Sequence, residues 1–226
     1  MFGLRLGFSD EGNFAEDTTT RQAYDLLADG FGPGMNGPLV LVAELPGGTA
    51  SALEPVVSAV RSTDGVAAVT EPRLNEARDA AVITVVPTAG PQAPETEALV
   101  EDLRASVLPS ATAGTGLDVH VGGVTAVSID TTDNIAKRIP LLIGGVVLLS
   151  MLLLLVTFRS IAIPLKAAVM NLLSVAAAYG VMVAVFQWGW GESLLDFESN
   201  GGITPWLPTF LFVILFGLSM DYHVFI

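Results

Sequence analysis

Apolar and polar positions alternate in short blocks up to residue 138 and then give way to long unbroken apolar runs. In the first part "PLVLVAEL", "GVAAVTE", "DAAVITVVPT" and "LDVHVGG" read as strands bounded by turn residues. Between them "SALEPVVSAVRS" and "PETEALVEDLRASVL" carry apolar residues at helical spacing, with Ser51 and Glu54 placed for a capping box and Pro94 at a helix start. The order is β-α-β-β-α-β. It predicts an α+β domain of the ferredoxin-like kind, a split βαβ in which two helices cover one face of a four-stranded sheet. A further helix, "TTTRQAYDLLADGFGPG", precedes it, with caps among Thr18 to Thr20 and stop signals at Gly30, Gly32 and Gly34.

Past residue 138 three stretches, 139–158, 165–186 and 206–226, reach the roughly 20 apolar residues that a bilayer requires. They predict an all-α membrane domain of three transmembrane helices, 139–226, following an extracytoplasmic domain, 1–138. The third stretch is cut short by the end of the chain. "VTAVSIDTTDNIAKR" is polar and helical and runs into the first span. Short cytoplasmic loops collect Lys and Arg. "TFRSIAIPLK" holds Arg159 and Lys166 and is therefore inside, whereas "WGWGESLLDFESNGGITP" holds Glu192, Asp196 and Glu198 and is outside together with the acidic domain. Lys137 and Arg138, at the membrane border, run against this rule. Trp188, Trp190 and Trp206 fall at the outer interface, where indoles prefer to lie.

Composition adds exclusions. Residues 1–138 hold 8 basic and 19 acidic side chains, and residues 139–226 hold 2 and 4. No basic stripe exists to bind phosphates, so nucleic acid is not an expected partner. The chain has no cysteine, which removes disulfides, thiolate metal sites and thiol catalysis. Its Gly-rich stretches "GFGPGMNGP" and "VGGV" lack the GxxxxGK[ST] and GxGxxG patterns and read as turns. His120 has no second histidine or carboxylate at a metal-ligand spacing, and no Ser-His-Asp arrangement is visible. Neither an enzyme, a metal nor a cofactor is expected. The N-terminus lacks the features of a signal peptide, and with the abrupt C-terminus this suggests a piece of a longer protein.

The chemistry concentrates near the end, in "GLSMDYHVFI". Counted from Pro208, Asp221 lies about 20 Å down a helix of ~1.5 Å rise, past the middle of a hydrocarbon slab of roughly 30 Å. An ionised carboxylate there costs about 2.5 to 3.5 kcal/mol, which suits a group that takes up and releases a proton. Tyr222 and Ser219 offer hydroxyls beside it, and His223 is a second protonatable group or a packing residue. A purely structural aspartate bridging helices, or a wet helix end, is the alternative. Asn171 and Tyr179, in the second span, are read as hydrogen-bonders between helices rather than substrate ligands.

"FGLSMDYHVF", "TFRSIAIPLKAAVMNLLS", "VFQWGWG", "VGGVTAVSID" and "RLGFSDEGNFAEDTTTRQAYDLLADGFGPGMNGPL" together resemble the second half of MMPL-type transporters of the RND superfamily. The resemblance covers essentially the whole chain. It implies an inner-membrane protein of twelve helices in two similar halves, with this chain running from after the seventh helix, through the second porter domain, to the tenth. Asp221 and Tyr222 match the family's proton-relay pair, with Ser219 and His223 as possible accessories; the partner Asp-Tyr pair belongs to an N-terminal half absent here. Such proteins export lipids and other hydrophobic compounds in exchange for protons, each proton supplying roughly 2.3 kcal/mol per 100 mV. Two departures stand out: the family usually has an acidic residue where His223 stands, and its motif continues beyond Ile226. A non-transporting relative, sensing lipid or assisting protein translocation, and an inactive fragment are the other readings.

Overall fold

The computed structural model describes residues 3–45, 50–195, 199 and 201–224, with backbone alone at Leu194, at Leu195 and from Ser219 onward. The chain divides into two compact units, Ser9–Asp130 and Met1–Phe8 with Thr131–Ile226. The boundary lies inside a helix, a few residues before Arg138.

The Ser9–Asp130 unit opens with a 3-10 turn, Glu11–Asn13, capped by Asp10, which accepts from the Gly12 amide at 2.9 Å. Helix α1 (Thr19–Phe31) follows, its N-cap Thr18 accepting from the Arg21 amide, and it ends at Gly32, whose φ of 92° a side chain would resist. No residue of α1 is buried. The helix is held by polar contacts instead: Tyr24 donates to the Asp10 carboxylate at 3.2 Å, and the Asn36 amide donates to the Tyr24 carbonyl at 3.0 Å.

Burial and then the facing Asp10 charge push the Tyr24 phenol up to about 12 from its ordinary 10. A raised value in the folded state means stability that is complete below pH 10 and lost as pH climbs through 12. A Tyr24→Phe variant lacks this contribution at every pH, so the full-length protein, followed by intrinsic fluorescence, is expected to be less stable than wild type below pH 10 and to lose less stability between pH 10 and 12. An unchanged loss of stability over that range would contradict the role given to this bond.

Strands β1 (Leu39–Glu44), β2 (Val66–Val69), β3 (Arg73–Leu74), β4 (Ala80–Pro87) and β5 (Asp118–Gly122) form one antiparallel sheet in the order β2-β4-β1-β5, with β3 pairing to β4. Alternation sends Leu39, Leu41, Ile83, Val85 and Val121 to one face, all buried, and Val42 and Val82, a register pair on the other face, to solvent. The buried face is covered by α2 (Glu54–Arg61) and by α3 (Pro94–Asp102), which contribute Val56, Val57, Val60, Leu99 and Val100. The Ser51–Glu54 capping box does not form. A 3-10 turn, Ala50–Leu53, leads into α2 instead, with Leu53 at the N-cap position and no side-chain cap. α3 continues through a wide turn, Leu103–Val107, into α4 (Leu108–Thr112). Pro109 explains the widening, because its ring cannot sit over the carbonyl four residues back in a regular helix.

β5 is followed by Gly123, with φ of 98°, where a Cβ would stand 3.0 Å from the Pro38 carbonyl oxygen. Helix α5 (Val124–Phe158) starts immediately after, and its buried Thr125 hydroxyl donates to the Gly37 carbonyl at 3.0 Å. Arg104 adds a two-pronged ion pair to Asp130 and a 3.0 Å bond to the Val121 carbonyl. The polar and apolar parts of α5 form one continuous helix of 35 residues, about 52 Å at ~1.5 Å per residue.

The other unit contains the apolar part of α5, α6 (Ala162–Met182) extended by a wide turn at Val183–Gln187, a short α7 (Glu192–Leu195), and α8 (Trp206–Val224). α6 begins at Ala162, ahead of the expected 165, with Pro164 in its first turn, where a missing N–H is harmless. Val124–Phe158 and Ala162–Gln187 are long and apolar enough to cross a membrane; the described apolar part of α8, Trp206–Leu218, is shorter. Leu141, Leu148, Val156, Leu173 and Val181 are all mostly exposed. Continuous apolar exposure of this kind belongs in lipid rather than water.

Candidate functional site

α8 carries the sequence's strongest candidates, and its packing fixes which face each position occupies. Its buried positions, Pro208, Phe212 and Phe216, recur every four residues and form one stripe. Phe212 and Phe216 have ring centroids 5.3 Å apart and pack with Val175 of α6 and with Ile143, Val146 and Val147 of α5. Near the start of α8 the Tyr179 hydroxyl donates to the Pro208 carbonyl. Tyr179 lies level with Pro208 and Val175 with Phe212, so α6 and α8 run antiparallel. The expected bond between helices is therefore present at Tyr179. Asn171, one turn before Val175 in α6, is 2% exposed, on the same stripe as Ala167, Ala168 and Val175.

The side chains of Ser219, Asp221, Tyr222 and His223 lie outside the described residues, but the α8 backbone runs through all four. At ~100° per residue, positions 219 and 223 fall within about 20° of Phe212, on the stripe packed against α5 and α6. Position 222 falls about 80° to one side. Position 221 falls about 180° away, on the face of Phe210, Ile214 and Leu218, which are exposed by more than half. The backbone register thus separates Asp221 from His223 despite their closeness in sequence.

The end of this unit at the start of α8 holds an arrangement that sequence reasoning missed. Residues Gly3 to Phe8 lie against the segment leading into α8. Leu6 forms a parallel bridge with Ile203, in which the Ile203 amide donates to the Arg5 carbonyl at 2.8 Å and the Gly7 amide donates to the Ile203 carbonyl at 3.0 Å. The Gln187 side chain accepts from the Arg5 amide at 2.9 Å and donates to the Gly3 carbonyl. Leu4 packs against Met182, Val183 and Ile203, and Phe8 stands edge-on to Trp206 with centroids 5.6 Å apart. Leu4, Leu6 and Phe8 alternate with Arg5, Gly7 and Ser9 in "GLRLGFSD", a strand period that was the local sign of this arrangement. Trp188 and Trp190, 6.1 Å apart and mostly exposed, lie just beyond Gln187.

In the Ser9–Asp130 unit a hollow of about 380 Å³ beside β5 is lined by Arg104, Thr112, Asp118 and His120, among others. Its polar groups already have partners: Arg104 is committed to Asp130 and Val121, and His120 stands 3.2 Å from Asp118. Among the described residues no three His, Asp or Glu side chains gather as a metal site would require.

Residues 48–226 match the MMPL family. The chain is 40% identical to membrane protein YdfJ of Bacillus subtilis over 99% of its own length and 30% of the relative's. It is 34% identical to the mycolic acid-containing lipids exporter MmpL11 of Mycolicibacterium smegmatis, over all of this chain and 24% of that protein. It is also 34% identical, over 98% of its length and 23% of the relative's, to the haem uptake protein MmpL11 of Mycobacterium tuberculosis H37Rv. The chain thus spans less than a third of the length of these relatives. With a family match across most of its residues and apolar helices to fit, this chain belongs to the MMPL family of RND-type membrane transporters.

Proposed function

We propose that this chain forms part of a proton-motive-force-driven exporter of lipids or other hydrophobic compounds, set in the cell inner membrane, in which Asp221 and Tyr222 carry the proton. The observation that carries this reading is the place of position 221. It is an aspartate in an apolar helix of a transporter family, at a register opposite the stripe that α5 and α6 occupy. A register on the face away from α5 and α6 is where a partner from the remainder of the protein, such as a second Asp-Tyr pair, would meet this helix. A proton exchanged there alters the charge between helices, and so the spacing they prefer.

The finer architecture belongs to the same proposal. The strand order β2-β4-β1-β5, all antiparallel with α2 and α3 on one face, supports a ferredoxin-like porter domain. The 19 residues of α8, about 28 Å at ~1.5 Å each, support a third span. Arg159 and Lys166 at one end of α6, against Glu192 beyond the other, support a cytoplasmic α5–α6 loop and an external domain. The relatives' names speak of mycolic acid-containing lipids in one case and haem in another; both are hydrophobic, and that shared property is the substrate class assigned here.

Cells producing the full-length protein and loaded with the hydrophobic dye Nile red are expected to expel it faster than cells without the protein. A protonophore should erase the difference. Efflux that survives the protonophore but stops on ATP depletion would sink the reading.

A further inference from the structure

We propose that residues Gly3 to Phe8 are a strap that fixes the outer end of α8, and that Gln187 is the positioning residue that holds the strap. The inference goes beyond proton-coupled export and rests on that reading only for its consequence, since α8 is the helix that contains Asp221.

Three independent contacts converge on the strap. The first is the backbone bridge of Leu6 with Ile203, which ties the strap three residues ahead of α8. The second is Phe8 against Trp206, the first residue of α8 itself. The third is Gln187, whose one amide group both accepts from Arg5 and donates to Gly3. A side-chain amide that satisfies a backbone N–H and a backbone C=O two residues apart imitates the edge of a neighbouring strand. Leucine or alanine at this position could make neither bond.

Local structure explains why Gln187 is in reach. The wide turn Val183–Gln187 closes α6, with the Trp188 amide donating to the Val183 carbonyl, five residues back. Such widened turns recur at functional positions in helices. Gln187 thereby follows the buried Met182 and Val183, against which Leu4 of the strap packs. α6 also bonds to the start of α8 directly, through Tyr179 and Pro208. Strap, α6 end and α8 start are therefore one hydrogen-bonded assembly, and displacement of the strap is felt at α8.

The cysteine-free chain allows a direct test in the full-length protein, reconstituted in lipid nanodiscs with any other cysteines replaced. Partners in neighbouring strands stand about 4.8 Å apart, within the Cα range of a disulfide. Leu6→Cys with Ile203→Cys is expected to cross-link under mild oxidation. Gln187→Leu should slow cross-linking and raise amide hydrogen exchange in the first turns of α8 by about tenfold, the effect of losing one to two hydrogen bonds. The disulfide, placed in the Gln187→Leu background, should restore the protection, and reductant should remove it again. Absence of the cross-link in the otherwise native protein, or exchange in α8 indifferent to Gln187→Leu, overturns the proposal. Neither readout involves export, so failure here leaves the transport reading standing, and failure of the transport reading leaves this one.

Discussion

Gly34→Ala is expected to prevent the Ser9–Asp130 unit from accumulating in folded form. Gly34 is buried in the turn Pro33–Asn36, against the end of β4. A Cβ at this position would lie 1.8 Å from the Pro87 carbonyl oxygen, 2.6 Å from the Pro87 carbonyl carbon and 3.1 Å from the Ala89 carbonyl oxygen. All three are backbone atoms, so no side chain can swing away. Either the turn or the end of β4 must move. Overpacking of a rigid site costs typically 1–3 kcal/mol and more where nothing yields, so a loss of about 3 kcal/mol or more is expected, a large share of a domain's ~5–15 kcal/mol. The measurement is the amount and melting temperature of full-length protein extracted from membranes. Gly30→Ala is the control: nothing lies within 4 Å of its Cβ, and an alanine inside α1 is favoured by about 0.5–1 kcal/mol. Equal yields for the two variants would show that the turn adapts.

The contrast between these glycines marks what sequence could and could not reveal. "GFGPGMNGP" was legible as a turn because Gly and Pro punctuate chains whatever surrounds them. Which glycine is irreplaceable depends on Pro87, more than fifty residues away, and a local pattern carries no such information. Strands β1, β2, β4 and β5 and helices α2 and α3 were likewise legible from their periods. β3 was not, since Arg73–Leu74 is too short to show a period and becomes a strand only by pairing with Val82 and Ala81. The capping box failed for the same reason: Ser51 and Glu54 had the right spacing, but a 3-10 turn placed Leu53 at the cap. In the membrane unit the apolar runs were plain and the interest of Asp221 was plain. The opposite registers of positions 221 and 223 follow only once the stripe Pro208, Phe212, Phe216 is known to be the packed one. His223, puzzling in sequence because it stands beside Asp221, shares its helix face with Phe212 and Phe216 rather than with Asp221. The strap showed only as the alternation of Leu4, Leu6 and Phe8 with Arg5, Gly7 and Ser9, which carries no information about the segment near Ile203 that it pairs with.

The second large effect is expected at Asp221. Asparagine matches aspartate in size and keeps a hydrogen-bonding group, so Asp221→Asn removes the exchangeable proton with little change in shape. If this carboxylate couples the proton gradient to transport, the variant loses about 2.3 kcal/mol of drive per proton per 100 mV. At ~1.4 kcal/mol per factor of ten, that amounts to about fiftyfold in the substrate gradient the protein can sustain. The variant should still insert and fold, because the stripe facing α5 and α6 lies on the other side of α8. Loss of transport with normal abundance in the membrane is the expected pattern. A structural aspartate would instead leave abundance and transport intact in Asp221→Asn, because asparagine bridges helices equally well, and would lower abundance only in Asp221→Ala.

Proton flux tests this most directly. Full-length protein is reconstituted into liposomes enclosing a pH-sensitive dye, a pH gradient is imposed, and its decay is followed in the presence of a hydrophobic substrate. The wild-type protein is predicted to dissipate the gradient, and the Asp221→Asn variant to leave it decaying no faster than in liposomes without protein. Decay at the wild-type rate in the Asp221→Asn liposomes would contradict the account.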